Sequence, residues 1–385
     1  MAVRTDPSAT KTGRTHAILR YLRPNGTAIG GLPGFAENRQ EIVALYRLMV
    51  LTRSFDEQAI ALQRTGRLGT YASSLGQEAV AVGAAAAMRP DDILLPTFRE
   101  HGAQIARGVT LTELFLYWGG DERGSDFAGP REDFPVNIPV ASHIPHAVGA
   151  ALAFKMRHED RAALCIFGDG ATSKGDFYEA LNVAGVWQVP CVFVVNNNQW
   201  AISVPRAMQT HADTLASKGI AAGIDGVQVD GNDVIAVCDV ITEALDTARQ
   251  DHEPSLIEAL TYRLGDHTTA DDARRYRDEK EVEAWKGRDP LIRIRKYLAE
   301  RGLWDDAKDE AQAAVAKETV AAAVKRAEEI ADPAVADFFN SMYAELHAEL
   351  ITQRQTMRTS SIGQDPSEIG GAPARSPQGV EAGAS

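Results

Sequence analysis

An α/β fold is what this 385-residue sequence predicts: a doubly wound, mostly parallel sheet flanked by helices. Three observations carry the prediction. Short β-rich runs ("AALCIF", "CVFVVN", "GVQVDG", "PSLIEALTYR") alternate with helical stretches ("DFYEALNVAGVWQ", "NDVIAVCDVITEALDTARQ"), the rhythm of right-handed βαβ units. The first run ends at Gly168-Asp169-Gly170 and the second at Asn196-Asn197-Asn198. Hydrophobic residues make up 44% of the chain, ample for a large core.

In chain order, residues 1–40 read as an irregular arm whose "RPNGTAIGGLPG" suits an extended segment over the surface or a partner. Residues 41–357 read as one domain built on the sheet, closed by C-terminal helices. "ENRQEIVALYRLMVLTRSFDEQAIALQRTG" has a helical period, with Leu45, Met49, Ile60 and Leu62 among charged residues and Gly66 placed to cap its end. "LGQEAVAVGAAAAM" and "IPHAVGAALAFKMRH" are helices of small residues made for close packing, and "DDILLP" is a strand. Beyond Asp289 a helix over "PLIRIRKYLAERGLW" is followed by one long helix ending near Met357. Residues 358–385 are rich in Gly, Pro and Ser and are expected to be disordered.

The net charge of −13 is spread along the chain, which argues against nucleic acid or an anionic membrane as the main partner. No apolar run reaches the roughly 20 residues that span a bilayer. The N-terminus lacks a signal-peptide apolar region, and the basic, Ser/Thr-rich "MAVRTDPSATKTGR" makes a transit peptide the lesser reading; the cytoplasm is the expected location. Cys165, Cys191 and Cys238 lie in apolar surroundings and are too few for a disulfide framework, so they are read as reduced core residues.

Ligands of parallel sheets sit at the carboxyl ends of the strands. If the helix between the first two runs is a crossover, Asp169 and Asn198 offer a carboxylate and an amide oxygen to one point. Such hard oxygen ligands suit Mg²⁺ or Ca²⁺, and Mg²⁺ usually keeps phosphate oxygens among its ligands. Gly170 and Ala171 are expected to open the next helix, where free N–H groups and the dipole favour a phosphate. A lone Gly-Asp-Gly is a common turn. The dinucleotide fingerprint fails because position 173 is Ser, and the P-loop fails because Lys174 precedes Gly175. What remains is a pair: Gly-Asp-Gly, 26 residues, then Asn197-Asn198.

That pair resembles the thiamine diphosphate motif. From about His16 to Met357 the chain resembles the alpha subunit of the thiamine-dependent decarboxylating component of 2-oxo acid dehydrogenase complexes, pyruvate and branched-chain types. The resemblance runs through "RTGRLGTYASSLGQEA", "LLPTFREHG", "GDGATSKGDFYEALN", "NNNQWAIS", "VDGND" and "LTYRLGDHTTADD". It implies the diphosphate-binding lobe of a thiamine diphosphate-binding fold, with Asp169, the Asn198 side chain and the Trp200 carbonyl as Mg²⁺ ligands. Gly170 and Ala171 would donate N–H groups to the diphosphate and Arg99 would grip it, its guanidinium being a fork suited to phosphate oxygens. Phe98 stands where the family generally has a phosphate-binding Tyr, and Asn196 where the branched-chain type has an arginine. His267 would act on the decarboxylation intermediates and assist acyl transfer, imidazole being able to move a proton near neutrality. Arg263 orders that loop or faces the phosphates. Val140 would wedge the bent cofactor. His143 falls beside Ser142, where the branched-chain type has Gln next to a monovalent-ion site, and Thr268 where mitochondrial relatives carry a phosphorylated Ser. Tyr71, Gln77 and His101 are candidates for the substrate pocket.

The resemblance further implies oxidative decarboxylation with acyl transfer to lipoyl groups. The glutamate on the pyrimidine N1′ would come from a separate beta subunit in an α2β2 assembly, and a lipoyl acyltransferase component would be the next partner. "FREHG" leans to pyruvate, the reading adopted, and "QWAIS" with "RLGDHTTADD" to branched-chain 2-oxo acids or to bacterial pyruvate enzymes that resemble that type. An acetoin dehydrogenase alpha subunit and a noncatalytic subunit that has kept the fold are the further alternatives.

Overall fold

The strands are β1 (Thr5–Ala9), β2 (Thr15–Leu19), β3 (Ile93–Leu95), β4 (Ala163–Gly168), β5 (Cys191–Asn197), β6 (Trp200–Ala201), β7 (Val204–Pro205), β8 (Asp225–Asp230) and β9 (Ser255–Leu260). They come from a computed structural model that describes residues 5–9, 15–340 and 343–361. Six of them lie parallel in the order β2-β8-β9-β5-β4-β3, and β1 pairs antiparallel with β2 at one edge. β4 and β5 are neighbours in the register that sets Gly168 against Asn196, so the two special strand ends lie side by side as expected.

Both faces of the sheet are covered, which is why β5 is buried along its whole length and has no polar side until its Asn residues. Helices His143–Arg157 and Gly175–Trp187 pack one face through Ile144, Val148, Phe177 and Leu181. Helices Glu78–Ala86 and Val234–Asp251 pack the other through Val80, Ala84, Val237 and Ile241. Each buried Val, Ile or Leu contributes roughly 1.5–3 kcal/mol relative to exposure. The small residues of "VAVGAAAAM" serve close approach: a Cβ at Gly83 would lie 2.9 Å from Val237 Cγ1.

The segment read as an arm is tied to this core. The N–H groups of Tyr21 and Leu22 both donate to Asp233 Oδ2, at 2.7 and 2.6 Å, while Asp233 Oδ1 caps helix Val234–Asp251. Residues 1–4 and 10–14 of that arm lie outside the described residues. The chain divides into two compact units, one through Glu328 and one from Glu329. The expected single long C-terminal helix is three, Asp306–Glu329, Val335–Asn340 and Ala348–Ser361, and Pro333, which removes a donor and steers its predecessor out of helical geometry, accounts for the first break. Residues 358–361 of the expected tail end the last helix, and those beyond 361 lie outside the described residues. All three cysteines are free and buried, as expected.

Candidate functional site

A cavity of about 330 Å³ opens at the carboxyl ends of β3, β4 and β5. Its floor is the end of β4, where Gly168 leaves open space in place of a side chain. Asp169–Ser173 then forms a short 3-10 helix, and the α-helix begins only at Gly175. Gly170 and Ala171 therefore sit in a 3-10 turn, and the expected helix dipole lies one turn further on, because Lys174 is extended between the two elements. Asn196 and Asn198 close a second side. Phe98 and Arg99, after β3, form a third, and Val140, about half exposed, forms the rim. His267 reaches the cavity from the loop that follows β9.

Two amide side chains hold the two metal-type oxygen donors. Asp169 is buried, which pushes its carboxyl up to about 6, and Gln209 Nε2 donates to its Oδ2 at 2.8 Å. The Trp200 N–H donates to Asn198 Oδ1 at 3.3 Å, which turns the Asn198 amide nitrogen toward Gln77 Oε1 at 2.9 Å. Gln77 is thus a partner of Asn198 and does not line the cavity. The Trp200 carbonyl accepts from Arg263 Nη1 at 3.4 Å. Lys218, also buried, ties down the turn after β4 by donating to the Thr172 carbonyl at 2.9 Å. Among the described residues no three His, Cys, Asp or Glu side chains gather as a metal-holding group. A cation at Asp169, Asn198 and the Trp200 carbonyl would need further oxygens from a ligand.

The basic side of the cavity is unusual. Arg99 is buried, and its guanidinium donates to the Ser73 carbonyl at 2.5 Å, the His267 carbonyl at 2.6 Å and His267 Nδ1 at 2.9 Å. Arg263, fully buried, donates to the Ile202 carbonyl and the Tyr276 hydroxyl, both at 2.8 Å. None of these partners is a carboxylate. Burial and Arg263 bring the Arg99 guanidinium down to about 10, and burial lowers Arg263 as well. His267 is brought down to about 4 by burial and by both arginines. Since a guanidinium only donates, Nδ1 of His267 is the acceptor, and the neutral ring carries its proton on Nε2.

Other predicted residues fall elsewhere. Tyr71 and His101 are fully buried behind the cavity wall, stacked at 5.3 Å, with the Trp118 indole donating to His101 Nε2 at 3.0 Å. Burial pushes His101 down to about 3. His143 donates from Nε2 to the Ile166 carbonyl, is brought down to about 4 by burial, and has a buried Nδ1 without a partner. Ser142 bonds to Asn137 and the Pro139 carbonyl. The Thr268 hydroxyl accepts from the Ala270 N–H at 3.3 Å. The roles of Gln209 and Lys218 have no local sequence signal. Each meets its partner only through the tertiary fold.

The residues present fit an anionic cofactor: two buried guanidiniums hydrogen-bonded to neutral partners, an open Gly168, and the oxygen donors Asp169, Asn198 and the Trp200 carbonyl, the last reached by Arg263 itself. Comparison with known proteins gives the family. The family model described as "Dehydrogenase E1 component" matches residues 46–336. The 3-methyl-2-oxobutanoate dehydrogenase subunit alpha of Mycobacterium tuberculosis (strain ATCC 25618 / H37Rv) is 44% identical over 321 residues, 83% of this chain and 88% of that one. The pyruvate dehydrogenase E1 component subunit alpha of Staphylococcus aureus (strain N315) is 40% identical over 339 residues, 87% of this chain and 91% of that one. No helix among the described residues is long and apolar enough to cross a membrane.

Proposed function

The chain belongs to the dehydrogenase E1 component family, and on that premise we propose that it is the alpha subunit of a 2-oxo acid dehydrogenase, holding thiamine diphosphate and Mg²⁺ at the cavity. The observation that carries the reading is the pair Arg99 and Arg263, two buried cations neither of which is hydrogen-bonded to a carboxylate. When bound, the cofactor supplies the carbanion and the electron sink for decarboxylation. Arg99 and the N–H groups of Gly170 and Ala171 hold the diphosphate, with Arg263 behind them setting the loop. Asp169, Asn198 and the Trp200 carbonyl hold the cation, joined by phosphate oxygens. Val140 would meet the cofactor at the rim, and Phe98 would line the diphosphate side without offering it a donor. Nε2 of His267 holds the proton that passes to or from the reacting oxygen.

The rim residues Ile138, Val140 and Ile202 are 50, 49 and 55% exposed apolar side chains at the mouth of a cofactor site. A beta subunit covers them in an α2β2 assembly and brings the glutamate for the pyrimidine N1′, and a lipoyl acyltransferase takes the acyl group. Cytoplasmic location goes with this reading. Pyruvate is the substrate adopted from "FREHG". A second reading, 3-methyl-2-oxobutanoate, is favoured by the 44% identity to the mycobacterial subunit.

Titration of thiamine diphosphate with Mg²⁺ tests the proposal. The chain alone should bind weakly and decarboxylate neither 2-oxo acid. With its beta partner it should gain tight binding and turnover, and the ratio of kcat/KM for the two acids names the substrate. Asp169→Asn in that assembly should bind the cofactor poorly at any practical Mg²⁺ concentration, having lost the one full negative charge that the chain places on the cation. Full decarboxylase activity of the isolated chain would overturn the two-chain reading, and undiminished affinity in Asp169→Asn would overturn the cation assignment.

A further inference from the structure

We propose that Asp56, which does not line the cavity, is the positioning residue that sets Arg99 and His267 against each other. The inference rests on the reading of Arg99 as diphosphate-binding and of His267 as its neighbour in the site. Asp56 lies on helix Arg39–Arg64 and is 1% exposed. Its Oδ1 accepts from the Tyr71 hydroxyl at 2.8 Å and from the Ser74 N–H at 2.7 Å, and its Oδ2 from the Ser73 hydroxyl at 2.6 Å. All these donors are neutral and all belong to one segment, 71–74. A buried carboxylate is costly to desolvate, so its hydrogen bonds hold their geometry strongly.

That segment grips both functional side chains. The Ser73 carbonyl accepts from Arg99 Nη1. Tyr71 is bonded in both directions to Thr269, two residues beyond His267: its N–H donates to Thr269 Oγ1 at 3.0 Å, and its carbonyl accepts from the Thr269 N–H at 2.9 Å. Arg99 in turn reaches His267 Nδ1 and the His267 carbonyl. The ring of contacts is closed: Asp56 fixes 71–74, which holds Arg99 at one end and the His267 loop at the other. A carboxylate accepts on both oxygens here. An Asn at position 56 would remove the charge and reverse the Ser73 bond, its N–H donating to Ser73 Oγ, which also accepts from the Leu75 N–H at 3.1 Å.

The test uses the full-length chain, inorganic diphosphate with Mg²⁺, and two variants. Asp56→Asn alters the anchor, and Thr269→Val removes one hydroxyl at nearly constant volume. Each should bind diphosphate about tenfold more weakly than the parent, and the double variant no more weakly than the worse single one, because both act through one segment. Histidine NMR supplies a readout that general destabilisation would not move. With Arg99 displaced, the midpoint of His267 should rise from about 4 toward its ordinary 6.5, while Arg263 and Asp271, the other charged groups that act on this ring, keep their places. Should Asp56→Asn fail to fold, Thr269→Val decides alone. Variants that bind within about twofold of the parent, with His267 unmoved, overturn the positioning role and leave the diphosphate site standing. A parent chain that does not bind diphosphate, together with an Arg99→Gln variant that behaves identically, overturns the site itself.

Discussion

Buried arginines at the two ends of the sheet live in opposite circumstances. At the amino ends of the strands, Arg249 meets Asp92, with side chains 1 and 0% exposed, and Arg107 meets Asp133 at 2.8 Å. Asp92 also takes the Arg89 and Ala162 N–H groups, so the pair is part of the frame that starts β3 and β4. At the carboxyl ends, Arg99 and Arg263 are equally buried, yet they donate to carbonyls, a hydroxyl and an imidazole. A charge removed from water is tolerated when an opposite charge and hydrogen bonds compensate it. The frame arginines have that compensation within the chain. The site arginines have hydrogen bonds but no paired carboxylate, Glu100 and Asp56 acting on Arg99 and Asp271 and Asp169 on Arg263 without bonding to them, and on the proposed reading a polyanion from outside completes the compensation.

The sharpest way to break this contrast is to neutralise one arginine at each end. Arg249→Met should lower stability by about 3–5 kcal/mol, since it strands a buried Asp92, and should leave diphosphate affinity per folded molecule unchanged. Arg99→Gln should do the reverse, costing roughly 1.5–3 kcal/mol of diphosphate binding while stability holds or rises. Urea unfolding and calorimetry read the two quantities, and equal destabilisation by both variants would dissolve the distinction.

A smaller effect follows from His267. Its value is depressed to about 4, so between about 6.5 and 4 the unfolded chain takes up a proton that the ligand-free folded chain refuses. Ligand-free stability therefore falls as pH drops through that window. A bound diphosphate offsets Arg99 and Arg263, raises His267 and removes part of this dependence. Binding near pH 5.5 should accordingly take up protons beyond those of diphosphate itself, seen by calorimetry in two buffers of different ionisation enthalpy. His267→Asn should remove the share of this ring and leave that of Asp169, which burial holds at about 6; an excess unchanged in that variant would mean that the ring does not titrate. The smallest expected change is Phe98→Tyr. The ring stands 6.1 Å from His267 and 5.2 Å under the Arg99 guanidinium, so a hydroxyl there adds a donor at the cavity, about 1 kcal/mol of tighter binding at most. Weaker binding would mean that the ring has no room for it.

The strand ends were readable because their signal is local: an apolar run stopping at Gly-Asp-Gly or at Asn is visible without knowing the fold, and the register of Gly168 with Asn196 follows from adjacency. Cysteine burial and the small-residue helices were readable for the same reason. Partnerships across the chain were not. Gln77 and Asn198 are 121 residues apart, and either end alone is an ordinary amide. His101 and Tyr71 stand in motif-like surroundings but point into an aromatic cluster with Trp118 and Phe55, a direction set by helix packing rather than by spacing. The 3-10 turn at Asp169–Ser173 was hidden because Gly, Ala, Thr and Ser suit the start of either helix type. Pro333, by contrast, was a local signal of the helix break, overridden by the charged helical pattern around it.

The position of β9 has a consequence for the order of assembly during synthesis. It is the last strand in sequence among the described residues, yet it lies in the middle of the sheet, between β8 and β5. Until residues 255–260 leave the ribosome, β5 and β8 each present an unpaired edge, and β8 has no route into the sheet that holds β4 and β3. Such edges are sites of wrong pairing, and the chain carries both of them from the synthesis of β8 until that of β9. The last strand also delivers Arg263 and His267 immediately behind it. Closure of the sheet and completion of the anion site are therefore one late event, and a nascent chain stalled before it has neither a continuous sheet nor a cofactor to stabilise what has formed.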